Sequence, residues 1–234
     1  KNRISIIEDC AHAIGARVNG KHVGTFGQTG CFSFYPTKNF TTIEGGMVIT
    51  NSKKVADFIR YARNHGITKT LASRFSSGKP WDYDVKNSGY NYRLDEIRAA
   101  LGISQIKQIK KMNLLRKKAS DYYNKKLGSV QGIIVPDKSV GMEHVHHLYV
   151  IRVTKKYGIT RDILFQKLLK AGIRTSVHYK PLHRFTIFKK MSKAGDKLSN
   201  SKDAYSQILS LPIYPSISKK QQDLVIHHIE KYEG

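Results

Sequence analysis

The sequence predicts an α/β fold in the first part of the chain and a smaller α+β domain after it. Short apolar runs of strand length, at residues 4–7, 31–35 and 47–50, are interleaved with turn signals and followed by apolar residues at helical spacing. Glu8 and Asp9 stand just past the first run, where open α/β sheets place ligand contacts. After Pro136 the pattern changes to period-2 alternation and then to short helical stretches, which marks a second, α+β part.

In chain order, Ile4-Ser5-Ile6-Ile7 is the first expected strand, ended by Glu8-Asp9 and the small pair Cys10-Ala11. Asn19-Gly20 is a hairpin-type turn signal. Residues 31–35 form the next strand; Pro36 ends it, and Lys38 follows in a small polar loop. Gly45-Gly46 supply a turn into the strand Met47-Val48-Ile49-Thr50. Ser52 caps a helix through Arg63, with Val55, Ala56, Phe58, Ile59 and Ala62 at helical spacing. Residues 64–90 show no sustained periodicity, and a loop that long is usually functional or disordered. From about Leu94 one long helix is expected to run to Leu127. Asp95-Glu96 suit its first turn, and Ile97, Ala100, Leu101, Ile103, Ile106, Ile109 and Met112 form its apolar face.

In the second part, Val145, His147, Tyr149, Ile151 and Val153 alternate as a strand. Residues 162–171 read as an amphipathic helix that Gly172 ends, and 173–177 as a strand. Helices at 202–209 and 219–232 close the chain. The expected domains are 1–112 and 113–234.

A hydrophobic content of 40% and an aromatic content of 10% mark a folded protein, and 234 residues suffice for one large or two small domains. The net charge of +24 favours phosphate-bearing partners: nucleic acid, acidic membrane or nucleotide-linked small molecules. The two cysteines, Cys10 and Cys31, lie in apolar runs and suit reduced thiols of a cytoplasmic protein better than a disulfide framework. No signal-peptide pattern and no membrane-spanning apolar stretch are visible. The first residue is not Met and the chain runs almost directly into a strand, so it reads as the later part of a longer polypeptide.

The chemistry centres on Lys38. A lysine held between two buried strands is desolvated, which lowers its pKa and makes the amine nucleophilic. Such a lysine suits Schiff-base formation with a carbonyl, most often the aldehyde of pyridoxal phosphate. Alone, Lys38 reads more simply as one surface hairpin lysine in a lysine-rich chain. Asp9 shifts that balance, because pyridoxal phosphate needs a carboxylate against its ring nitrogen as well as a lysine for its aldehyde. Each stands just after an apolar strand, although Asp9 by itself equally suits a turn or cap.

The runs Glu8-Asp9-Cys10-Ala11-His12-Ala13, Cys31-Phe32-Ser33-Phe34-Tyr35-Pro36-Thr37-Lys38-Asn39 and Glu44-Gly45-Gly46-Met47-Val48 closely resemble the DegT/DnrJ/EryC/StrS family of sugar aminotransferases. The resemblance continues through Arg63-Asn64-His65-Gly66-Ile67, Gly89-Tyr90-Asn91-Tyr92-Arg93-Leu94 and His178-Tyr179-Lys180-Pro181-Leu182-His183, in the right order. It implies a fold-type I arrangement: a mixed sheet flanked by helices, belonging to a cofactor-binding large domain, then a small C-terminal domain.

The resemblance also implies site roles. Lys38 would hold pyridoxal phosphate as a Schiff base and shuttle the proton. Asp9 would pair with the ring nitrogen, Ala11 lie against a ring face and His12 sit near the ring hydroxyl. Ser33 would bond the cofactor phosphate, and Asn91 the phosphate of the neighbouring subunit in a homodimer with shared sites. His178 and Tyr179 would line the sugar side. The implied reaction moves an amino group from an amino acid, glutamate by the resemblance, to a nucleotide-linked keto sugar.

Two departures stand out. Ile43 occupies a position where many members carry a small residue. The family's phosphate-binding turn and ring-stacking aromatic come from a portion that precedes this sequence. A related dehydratase branch has histidine in place of the Schiff-base lysine; Lys38 argues against it.

An alternative of another class is a non-catalytic fragment or basic binding module without a complete cofactor site. His144, His146 and His147 raise a metal site, but strand alternation splits them between faces, so no metal is expected. The basic run at 107–126 reads as the wet face of the long helix; it carries no aromatic platform or motif for nucleic acid. Neither nucleic acid nor membrane is expected as a partner.

Overall fold

In the computed structural model, which describes residues 4–137, 140–189, 191 and 198–233, the chain divides into two units, Lys1–Lys110 and Lys111–Gly234. The first unit is built on a mixed sheet. β1 (Ile7–Asp9) is followed by a tight hairpin of β2 (Arg17–Val18) and β3 (Lys21–His22). Asn19 and Gly20 turn that hairpin with φ of 49° and 76°, values that asparagine and glycine tolerate best. β4 (Thr29–Ser33) runs parallel to β1, placing Asp9 opposite Cys31, and antiparallel to β5 (Gly46–Ile49), placing Ser33 opposite Gly46.

The strands differ from expectation in place and in burial. The first begins at Ile7, although Gln28 N–H donates to Ile6 C=O at 2.8 Å just before it, and Ile4, Ile6 and Ile7 are 77%, 60% and 71% exposed. The second starts two residues earlier than the apolar run suggests. β5 is not a buried strand, since Met47 and Val48 are exposed. Register here follows pairing with the neighbouring strand, which hydropathy along one segment does not report.

α1 (Lys53–Ala62) starts at Ser52, whose hydroxyl accepts Val55 N–H at 3.4 Å. The stretch after it is not structureless. It holds α2 (Leu71–Ser76), and its two ends are bonded together: His65 N–H to Tyr90 C=O at 2.9 Å, Tyr92 N–H to Arg63 C=O at 2.9 Å, with a backbone bridge between Asn64 and Asn91. The expected long helix is two helices, α3 (Glu96–Ile106) and α4 (Ile109–Leu127). Asp95 caps α3 by accepting Arg98 N–H at 2.8 Å, and Gln108 N–H closes its end on Gln105 C=O at 3.0 Å. No proline or glycine marks the break at 107–108. The face expected to be buried is open: Ile97, Ile103 and Ile106 are exposed.

The second unit contains α4 from Lys111 onward, β6 (Ile133–Ile134), β7 (Met142–Glu143), β8 (Tyr149–Val153), α5 (Arg161–Lys170), α6 (Thr186–Lys189), α7 (Ser199–Gln207), β9 (Ile208–Leu211) and α8 (Lys219–Lys231). β8 is the middle strand of an antiparallel β6-β8-β9 sheet. Tyr123 and Leu127 of α4, Leu164 and Leu168 of α5, and Ile229 of α8 pack with Tyr149, Ile151 and Leu209, all at 0% exposure. The buried phenols find acceptors, Tyr123 on Pro212 C=O and Tyr157 on Ile229 C=O, so their burial leaves no orphaned hydroxyl.

Three expectations fail in this unit. The helix expected over 202–209 ends at Gln207, and Ile208 begins a strand. The strand expected over 173–177 is a single bridge from Ser176 to Ser210. The strand expected from Val145 begins at Tyr149, because His146 adopts a φ of 46° and breaks the alternation.

Candidate active site

β1 and β4 are parallel neighbours, so the chain leaving their carboxyl ends emerges at one edge of the sheet. Asp9–Ala11–His12 and Ser33–Lys38 therefore share that edge, the usual ligand side of an open α/β sheet. The second segment is a closed loop. Phe34 N–H donates to Gly45 C=O at 2.9 Å, Thr42 N–H donates back to Phe34 C=O at 3.0 Å, and Lys38 N–H folds onto Tyr35 C=O at 3.0 Å. Phe34 packs edge-on against Phe40 with centroids 4.6 Å apart, and Asn39, Phe40 and Thr42 are buried. Lys38 is half-buried on this base. Burial holds its ammonium below the ordinary lysine range, opposed by the pull of the Asp9 carboxylate.

Asp9 is the last residue of β1 and accepts Ala11 N–H at 3.0 Å, which fixes the turn that carries Ala11 and His12. Both of those are half-buried. Ser33 ends β4, half-buried, and its hydroxyl accepts Tyr35 N–H at 3.4 Å. Cys10 is buried between these elements; burial pushes its thiol up, and Glu8 and Asp9 add to the shift. The structure thus brings Asp9, Ala11, His12, Ser33 and Lys38 to one edge. Asn91 is exposed at the base of the loop that follows α1. His178 and Tyr179 belong to the second unit, where His178 Nδ1 lies 2.8 Å from Ser210 Oγ and the two rings meet edge-to-face at 4.8 Å.

Two residues of consequence escape a reading of the sequence. Glu8 accepts three backbone N–H groups, from Gly24, Phe26 and Gly27, each at 2.6 Å. Desolvation alone would raise its pKa; those donors and the Lys21 charge outweigh it and hold the carboxyl below the usual range. Its partners lie 16 to 19 residues away, so only its acidic type and the glycine spacing hint at them. Arg116, taken as part of a wet helix face, is buried, and its guanidinium donates to His146, His147 and Ile213 carbonyls. The His144 and His146 rings lie 4.6 Å apart, and no group of three or more metal-ligating side chains occurs among the described residues.

A mixed sheet bearing a lysine loop after one strand and a carboxylate after its parallel neighbour is a fold-type I arrangement, the class to which similar solved structures belong. Spr1654 of Streptococcus pneumoniae, named as a sugar aminotransferase, superposes with a TM-score of 0.89 at 28% identity, covering 99% of this chain and 59% of that one; it is solved in PMP and PLP forms. The chain belongs to the DegT/DnrJ/EryC1/StrS aminotransferase family, whose profile matches residues 1–230. It is 36% identical to the spore coat polysaccharide biosynthesis protein SpsC of Bacillus subtilis, over 96% of this chain and 58% of that protein. It is 34% identical to a UDP-4-amino-4,6-dideoxy-N-acetyl-beta-L-altrosamine transaminase of Campylobacter jejuni, over 96% of this chain and 57% of that protein. The chain therefore spans less than three-fifths of the length of these curated relatives. Among the described residues no helix is long and apolar enough to cross a membrane.

Proposed function

We propose that this chain carries the lysine-bearing part of a pyridoxal-phosphate-dependent aminotransferase that passes an amino group from an amino acid, glutamate, to a nucleotide-linked keto sugar. The observation that carries this reading is Lys38, half-buried after β4 and under the electrostatic pull of Asp9 after the parallel strand β1. The donor set fits the cofactor: an amine kept below its usual pKa, a carboxylate whose charge acts on it, a strand-end hydroxyl, and the small residue Ala11 in the turn that Asp9 fixes. When bound, pyridoxal phosphate supplies an aldehyde for the amine and a ring that takes up electrons.

This chain's residues do the rest. Lys38 would hold the aldehyde through its amine and would take up and return a proton at the substrate carbon, a neutral amine serving as base and then as acid. Asp9 keeps the ring nitrogen protonated, and Ala11 and His12 bound the ring. Ser33 donates to the phosphate, and Asn91 serves the phosphate of the other subunit in a homodimer. His178 and Tyr179 receive the sugar. Residues 1–112 are read as the later part of the cofactor-binding large domain and 113–234 as the small C-terminal domain. The free thiols Cys10 and Cys31 agree with a cytoplasmic site of action.

Adding pyridoxal phosphate to the purified chain is expected to produce a visible absorption band that borohydride traps as a mass adduct on Lys38 and that Lys38→Ala abolishes. A wild-type spectrum without the band, or a band that survives in Lys38→Ala, overturns this reading in favour of a basic binding module.

A further inference from the structure

The His178–Tyr179 pair stands on irregular backbone, with Tyr179 61% exposed and His178 only half-buried. His178 carries its imidazole on loop backbone rather than on a strand or helix. The residue bonded to it is of the opposite kind. Ser210 is 5% exposed on β9, between Leu209 and Leu211, which are buried in the core. Its backbone is held from both sides. It pairs with Val150 of β8, while Ser210 N–H donates to Ser176 C=O at 2.8 Å and Ser176 N–H returns to Ser210 C=O at 3.1 Å. The hydroxyl therefore projects from one of the most fixed positions in the unit, and it lies 2.8 Å from His178 Nδ1.

We propose that Ser210 is a positioning residue for the sugar-receiving pair, orienting the His178 imidazole and, through the 4.8 Å edge-to-face contact, the Tyr179 ring. The proposal rests on the substrate role given above to that pair. A hydroxyl both donates and accepts, so it keeps hold of Nδ1 whichever tautomer or charge the ring adopts. Fixing the ring in advance removes an ordering cost that substrate binding would otherwise bear. A rigid strand supplies this orientation better than the loop itself.

The test compares wild type, Ser210→Ala and Ser210→Thr in the full chain loaded with pyridoxal phosphate. Affinities for UDP-N-acetylglucosamine and for UDP are measured alongside the nitrogen-15 imidazole spectrum of His178. Loss of one hydrogen bond predicts that Ser210→Ala weakens UDP-N-acetylglucosamine about tenfold and leaves UDP within about twofold. It also predicts an altered imidazole spectrum, an unchanged visible band, and recovery of sugar affinity in Ser210→Thr. An intact band with wild-type affinity for the sugar nucleotide in Ser210→Ala overturns the proposal. So does a wild-type protein that forms the band but binds the sugar nucleotide no better than UDP. Absence of the band in wild type strikes the aminotransferase reading separately. In that case an imidazole spectrum unchanged by Ser210→Ala overturns the orienting bond as well, and a changed one upholds that bond while the substrate role falls.

Discussion

Ile43 adopts a φ of 70° beside the Lys38 loop, a conformation in which a β-branched side chain crowds its own backbone. Neighbouring bonds hold it there: Ile43 N–H to Thr41 Oγ1 at 2.9 Å, Glu44 N–H to Thr42 C=O at 2.9 Å, and Thr42 Oγ1–H to Glu44 C=O at 2.8 Å. Gly45 is confined as well, since a Cβ there would meet Thr42 Oγ1 at 2.5 Å. Ile43 is 56% exposed, so replacing it forfeits little burial. Ile43→Asn, which tolerates this backbone, is expected to stabilise the chain by about 1 kcal/mol, read as a higher denaturant midpoint. Glu8 leads to a second expectation. Its folded pKa lies below the ordinary value, so the unfolded chain binds more protons between the two, and the stability it gives above the ordinary glutamate pKa is lost as pH falls through the folded value. Glu8→Gln should destabilise by roughly 2 kcal/mol at neutral pH and flatten this acid-side loss; equal acid slopes in both proteins would refute the assignment.

At the scale of elements, the segment between β7 and β8 replaces an expected strand and carries a titrating pair. His146 N–H donates to His144 Nδ1 at 2.8 Å, which requires that nitrogen to be unprotonated. Burial, followed by the neighbouring His144, lowers the His146 pKa from 6.5 to about 4; Asp121 works against this, and Lys117 and Arg116 work with it. The unfolded chain thus takes up the proton first, and stability falls as pH drops from about 6.5 toward about 4. His146→Asn, compatible with the φ of 46°, should reduce that fall when thermal midpoints are followed across the same window. Caps and turns were legible from the sequence at this scale. Ser52 and Asn19-Gly20 act through bonds or torsions within a few residues of themselves, and Asp95, expected in the first turn, caps α3 from just before it. The break between α3 and α4 and the strand β9 were not, because Ile208 belongs to a strand by pairing with Arg152, more than fifty residues earlier.

Over the whole molecule, apolar burial is uneven. Among the described residues the large cluster of buried apolar side chains lies in the second unit, from Tyr123 to Ile229, while the first unit buries a smaller set that includes Cys10, Phe34 and Phe40. The first unit leaves Ile7, Phe58, Ile97 and Ile103 exposed. Amides that open only with global unfolding follow such a core. Hydrogen exchange should therefore be slowest in β8, α5 and α8, and faster by at least about tenfold in β1, α1 and α3. Uniform protection across both units would contradict that picture.

The sequence alone determined the order of the chemistry. Asp9 and Lys38 were singled out because each follows an apolar run of strand length, and short-range torsions and hydropathy write such signals into neighbouring residues; Ser33 entered only through the resemblance of its motif. Tertiary structure alone decided which of them meet and what holds them. The parallel pairing of β1 with β4 brings Asp9 and Lys38 to one edge. Glu8 reaches the amides of Gly24, Phe26 and Gly27; Arg116 reaches Ile213, 97 residues on; Ser210 reaches His178. Such bonds depend on where the folded backbone delivers a polar group, and no local pattern encodes that.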